Sequence, residues 1–69
     1  MGALLDGAHP VKVFRDYRGL TQSKLATAVG TTGIYISQIE RGDRQPSRKL
    51  RNKLAAALQV DAGLLESED

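Results

Sequence analysis

Apolar residues recur along this chain in short bursts at helical spacing, each opened by a capping residue and closed by a stop. Pro10 suits the first position of a helix, where its missing N–H costs nothing. Val11, Val13, Phe14 and Tyr17 then form a one-sided stripe, and Gly19 follows Arg18 as a stop. Thr21 is a good N-cap for a second helix, with Leu25, Ala26 and Val29 as its apolar face and Gly30 at its end. Thr32 caps a third, in which Tyr35, Ile36 and Ile39 precede Arg41-Gly42. After the loop GDRQP, Ser47 opens a fourth helix, where Leu50, Leu54, Ala57 and Leu58 recur. Val60 and Asp61 begin a fifth, short segment carrying Leu64 and Leu65. No convincing period-two run competes with these helices. The pattern predicts an all-α fold: a compact bundle of five short helices, joined by loops short enough to pack each on its neighbours.

Sixty-nine residues suffice for one domain with an economical core. The pattern places that domain at residues 9–66. Residues 1–8 read as an arm, a linker stub or a cloning remnant, and 67–69 as an acidic tail. Without cysteine, disulfides and thiolate metal sites are excluded, and His9 alone cannot build a zinc cage. No metal and no cofactor are expected. No apolar run approaches the ~20 residues of a membrane span, and no signal-peptide segment is visible, so the expected setting is the cytoplasm, without a membrane partner. The net charge of +2 hides a polarity. All ten basic residues lie between Lys12 and Lys53, opposed there only by Asp16, Glu40 and Asp43. Asp61, Glu66, Glu68 and Asp69 follow with no base among them. A positive body with a negative end suits a polyanion on one face; charge kept for solubility explains it equally well.

The most informative stretch is TQSKLATAVGTTGIYISQIERG, residues 21–42. Two predicted helices flank a break at Gly30, where a tight turn calls for a residue tolerant of positive φ. Ala26 is small enough to let the second helix of the pair cross closely over the first. Ile36 and Ile39 pin the inner side of that second helix and leave Gly33, Ile34, Ser37, Gln38 and Arg41 facing out. Counted from Gln22, the small residue falls fifth, the glycine ninth, and the aliphatics fifteenth and eighteenth. This is the spacing of a helix-turn-helix. A chance αα-hairpin with a polar face would rarely meet all four constraints together.

The segment GLTQSKLATAVGTTGIYISQIERGDRQPS resembles the lambda-repressor/Cro type of helix-turn-helix domain, the XRE family, and the resemblance runs over roughly residues 10–66. Its most specific pieces are Leu20-Thr21-Gln22, Leu25-Ala26, Gly30, Tyr35-Ile36-Ser37 and Ile39-Glu40-Arg41-Gly42. The resemblance implies a five-helix, lambda-repressor-like bundle that binds operator DNA, usually as a two-fold dimer. It implies that Gln22 bonds a DNA phosphate, that Thr32 caps the recognition helix, and that Gly33, Ile34, Ser37 and Gln38 face the major groove. Arg15 and Glu40 match positions where the family commonly places an internal ion pair tying the first helix to the third. The opening HPVKVFRDYRGLTQ is also similar to antitoxins of toxin–antitoxin loci, where such a domain often follows a toxin-binding segment. With nine residues ahead of Pro10, that segment is expected to be absent or trimmed.

The chain departs from the family pattern in places. Gly33 stands where the family often has a glutamine able to read adenine, and Ile34 offers only apolar contact, as to a thymine methyl. Direct readout then falls mainly to Ser37 and Gln38, with DNA shape contributing the rest. Lys24 replaces the glutamate of the usual capping box, a mildly unfavourable cation near a helix N-terminus. Arg48 and Arg51 occupy positions where leucine-like residues are common, and Gln59 replaces a frequent glycine.

Arg41, Arg44, Arg48, Lys49, Arg51 and Lys53 face only Asp43 within residues 41–53. Such density beside a recognition helix suits a strip along the phosphate backbone, with Arg44 and Arg48 foremost and Arg41, Ser47 and the loop amides assisting. For Arg51 and Lys53 a solvated face is the better reading. The GTTG at 30–33 matches the loop of KH RNA-binding domains, but that module needs a sheet this chain lacks. Tyr35 could stack on a base, though partial packing fits its spacing from Ile39 better. His9 reads as a helix-start residue without a chemical role, and Glu66, Glu68 and Asp69 as a solvated terminus. No Ser/His/Asp set, phosphate-cradling loop or pair of buried acids appears, so no enzyme is expected.

The expected function is sequence-specific recognition of double-stranded DNA by a transcriptional regulator, most often a repressor, acting as a homodimer on a palindromic operator. Val60, Leu64 and Leu65 are candidates for the two-fold contact; closure of the monomer core is an equal alternative. The rival reading keeps the fold and makes a protein the primary partner, as in an antitoxin bound to its toxin or a helical adaptor.

Overall fold

The computed structural model describes residues 9–65, in which four α-helices follow one another. They are α1 (Pro10–Tyr17), α2 (Gln22–Val29), α3 (Gly33–Glu40) and α4 (Arg48–Leu58), and a 3-10 turn, Ala62–Leu65, comes last. No strand occurs among the described residues. The predicted fifth helix is thus corrected to a single 3-10 turn. Four residues including Gly63, with Leu65 alone buried, provide too little burial to carry the nucleation of an α-helix. The arm 1–8, Glu66 and the acidic tail 67–69 lie outside the described residues.

Side chains close the start of each helix. Thr21 Oγ1 accepts the Lys24 N–H at 3.0 Å, Thr32 Oγ1 the Tyr35 N–H at 3.1 Å, and Ser47 Oγ the Leu50 N–H at 3.1 Å. At α1 the cap is His9, whose Nδ1 accepts the Val11 N–H at 3.1 Å. The helix ends share one geometry: a left-handed residue turns the chain, and the amide after it reaches back five residues to an orphan carbonyl. Thr31 N–H bonds Ala26 C=O at 2.9 Å across Gly30, and Asp43 N–H bonds Gln38 C=O at 2.9 Å across Gly42. At α4 the left-handed residue is Gln59, with φ 61°, the only described non-glycine residue at positive φ.

Val11, Leu25, Ala26, Val29, Ile36, Ile39, Leu54, Ala55, Leu58 and Leu65 form the core. In α1 the buried face differs from the predicted stripe. At ~100° per residue, Val13 and Tyr17 fall away from the side shared by Val11, Phe14 and Arg15. Val13 is accordingly half-buried, Tyr17 is 78% exposed, and the inward position one turn after Val11 is taken by Arg15. Near the C-terminus, Leu65 is 2% exposed and is corrected from a dimer contact to a core residue. Val60 also packs against the core, and Leu64, 53% exposed, is the one of the three that offers surface. Arg18, unassigned from sequence, ties α1 to the end of α4: its Nε donates to Leu58 C=O at 2.8 Å.

Candidate nucleic-acid interface

The site is built on how α3 is held. α2 and α3 cross in close contact, with Ala26 2% exposed and Ile36 and Ile39 fully buried. At the crossing, Gly33 lies over the start of α2: a Cβ there would meet the Ser23 backbone at 3.8 Å, an ordinary contact. A Cβ therefore fits at this position, and glycine is not a steric necessity.

A polar knot behind α3 fixes its roll and tilt. Arg15 Nε donates to Glu40 Oε2 at 2.7 Å and Nη2 to Glu40 Oε1 at 3.1 Å, while Nη1 donates to Leu20 C=O at 2.8 Å. Gln22 Nε2 adds a bond to Glu40 Oε1 at 2.9 Å. One carboxylate thus collects donors from α1 and α2 while anchored in α3. The two ionic side chains are 10% and 4% exposed, and the Glu40 hydrogen bonds raise the Arg15 guanidinium above its ordinary pKa despite its burial. Gln22, assigned to a phosphate by resemblance, has its amide engaged within this knot. Its side chain is a bridge between α2 and α3 in the free protein.

With α3 pinned on this side, its other side meets solvent. Ile34 is 74% exposed, and Gly33, Ser37 and Gln38 are half-buried. Gln38 Oε1 accepts a hydrogen bond from Arg44 Nε at 3.0 Å, and the Arg44 guanidinium stands 5.2 Å from the centroid of the Tyr35 ring. Tyr35 packs partly on the core. No sequence signal marked this Arg44–Gln38–Tyr35 cluster, because it depends on the path of the loop after Gly42. Arg41 and Asp43 pair at 3.2 Å with both side chains exposed. Arg48 and Lys49 are exposed at the start of α4, where Ser47 has its hydroxyl engaged as the cap.

Gly33, Ile34, Ser37 and Gln38 thus share a short helix flanked by a cationic loop, the layout of a groove-reading element beside phosphate-binding groups. Among the described residues no group of three or more His, Asp or Glu side chains comes together to hold a metal ion. Nor is any helix among them long and apolar enough to cross a membrane.

Residues 11–65 match the helix-turn-helix family profile. An uncharacterized HTH-type transcriptional regulator of Mycobacterium tuberculosis is 37% identical over 51 residues, covering 74% of this chain and 36% of that protein. The chain therefore spans about a third of the length of this relative. The uncharacterized HTH-type transcriptional regulator YazB of Bacillus subtilis is 35% identical over 52 residues, 75% of each chain. The ImmF control region 10 kDa protein of Bacillus phage phi105 is 32% identical over 66 residues, 91% of this chain and 73% of the phage protein. With its pinned second helix, its outward polar flank and a match over residues 11–65, the chain belongs to the XRE-type helix-turn-helix family.

Proposed function

We propose that this chain is the sequence-specific, double-stranded-DNA-binding part of a transcriptional regulator, with residues 9–66 as the DNA-binding domain. α3 enters the major groove, where Ser37 and Gln38 read base edges and Ile34 contacts a thymine methyl. Arg41, Arg44, Arg48 and the capped start of α4 grip phosphates, as do the start of α2 with the remaining N–H of Gln22 and the start of α3 at Thr32. Repression follows by occlusion, since a bound domain covers the groove that a competing protein would use. The observation that carries this reading is the solvent-facing flank of α3, with Ile34 exposed and Ser37 and Gln38 half-buried, backed by a buried ion pair and bordered by cations. One short helix contacts few base pairs, so useful affinity calls for two copies on an inverted repeat, about 34 Å apart, with Leu64 at or near the two-fold contact.

Selection of bound sequences from a random duplex pool tests this directly. An inverted repeat is expected. Affinity for the selected duplex should fall with salt at a log–log slope of several units, because each phosphate contact releases counterions. A pool that stays random, or an affinity indifferent to salt, would sink the reading.

A further inference from the structure

Tyr35 and Gln38 lie three residues apart on α3 and therefore share one flank of the helix. The turn at Gly42 folds the following loop back along that flank, so Arg44 lies across both side chains. Its Nε donates to Gln38 Oε1 at 3.0 Å while its guanidinium covers the Tyr35 ring. We propose that Arg44 is a positioning residue for base readout: it holds the Gln38 amide with Oε1 turned to the cation and leaves the Nε2 donors for the DNA. This rests on the DNA-binding reading above and adds a base preference to it.

A glutamine free to rotate pairs with adenine through both halves of its amide, donating to N7 and accepting from N6–H. When its oxygen is engaged by a guanidinium and its plane is fixed, the accepting half is weakened. The remaining donors suit an edge that presents acceptors, which in the major groove is guanine with N7 and O6. In water the Arg44–Gln38 bond is exposed and weak. Against DNA, water leaves the contact, and a polar group without a partner becomes unfavourable, so the arrangement set in the free protein decides which base is tolerated. The Nη groups of Arg44 remain available to a phosphate, so backbone grip and base choice are linked through one side chain. On sequence alone, loss of Arg44 should weaken all duplexes evenly; the observed contacts give a different expectation.

The test uses the whole chain. Wild type, Gln38→Ala, Arg44→Lys and Tyr35→Phe are each taken through selection from a random duplex pool. Arg44→Lys keeps the charge but loses the planar fork that can cover the ring and reach Gln38 at once. Wild type should prefer guanine at the position that Gln38→Ala relaxes. Arg44→Lys should move that one position toward adenine by about tenfold while leaving the salt slope unchanged. Tyr35→Phe, which keeps the ring, should retain the wild-type preference. In the free protein, the Arg44 Nε–H resonance should shift on Gln38→Ala. A wild-type preference for adenine at that position would overturn the proposal. So would an Arg44→Lys profile equal to wild type or evenly weakened, or an Nε–H unmoved by Gln38→Ala. A wild type that enriches no duplex would overturn the DNA-binding reading itself, and the positioning role with it.

Discussion

Glu40 is the residue on which most depends, because its carboxylate satisfies Arg15 and Gln22 together while nearly sealed from water. Glu40→Gln keeps the shape but leaves the buried Arg15 guanidinium with only the exposed carboxylate of Asp16, 3.3 Å away, as counter-charge. The expected loss is about 3 kcal/mol, read from urea unfolding. The double variant Arg15→Met with Glu40→Leu should recover much of it, since apolar replacements leave no charge unpaired. An equal or larger loss in the double variant would show that the hydrogen bonds of the pair, and not an unbalanced charge, are what holds the helices together. His9 carries the second expectation at this scale. Burial is the larger influence and lowers its pKa; nearby Glu40 acts the other way and is outweighed. An imidazolium also cannot accept the Val11 N–H. A depressed folded pKa favours the folded state above the ordinary histidine value and loses that contribution as pH falls through the lowered value. The urea midpoint should therefore decline from pH 7 towards pH 5, and His9→Asn, which caps at either pH, should flatten the decline. An unchanged pH profile in His9→Asn would remove His9 from the explanation.

At the scale of elements, the four α-helices begin on an acceptor side chain and end on a left-handed residue, a design that lets helices of eight to eleven residues persist beside one another. The ends of α2 and α3 use glycine, for which positive φ is free of strain. The end of α4 uses Gln59, whose Cβ makes the same conformation unfavourable. Gln59→Gly should raise stability by about 0.5–1 kcal/mol, the relief of strain exceeding the added freedom of the unfolded chain. A lower melting temperature would mean that the Gln59 side chain makes a contact outweighing its backbone. In α1, Arg15 at the buried position shows why hydrophobicity alone misassigned Tyr17: the inward face was completed by a cation whose partner lies 25 residues away.

For the whole molecule, the core unites all four helices and the closing 3-10 turn, so the flank of α3 is displayed by the bundle as a unit. Leu65 is committed to that core, which leaves Leu64 as the surface leucine at the same end. Leu64→Asp should leave monomer unfolding within about 0.5 kcal/mol of wild type, as expected for an exposed site. It should weaken binding to an inverted repeat much more than binding to a single half-site. Equal effects on both would place the two-fold contact elsewhere.

The order and capping of the four α-helices were legible in the chain because they rest on local chemistry: Thr21, Thr32 and Ser47 ahead of periodic apolar residues, and Gly19, Gly30 and Gly42 behind the first three helices; that the fifth segment is only a 3-10 turn was not. The helix-turn-helix was legible for the same reason, since its spacing lies within one continuous segment. The Arg15–Glu40 partnership came from resemblance, and only folding shows that Gln22 joins it. Tertiary structure alone decided which leucine of the Leu64–Leu65 pair is buried, that Tyr17 faces water, and that Arg44 reaches Gln38 across Tyr35. Each of these depends on the direction in which a turn sends the chain. Periodicity records the faces of a helix, whereas the neighbour that each face meets is settled only when distant segments compete for the same space.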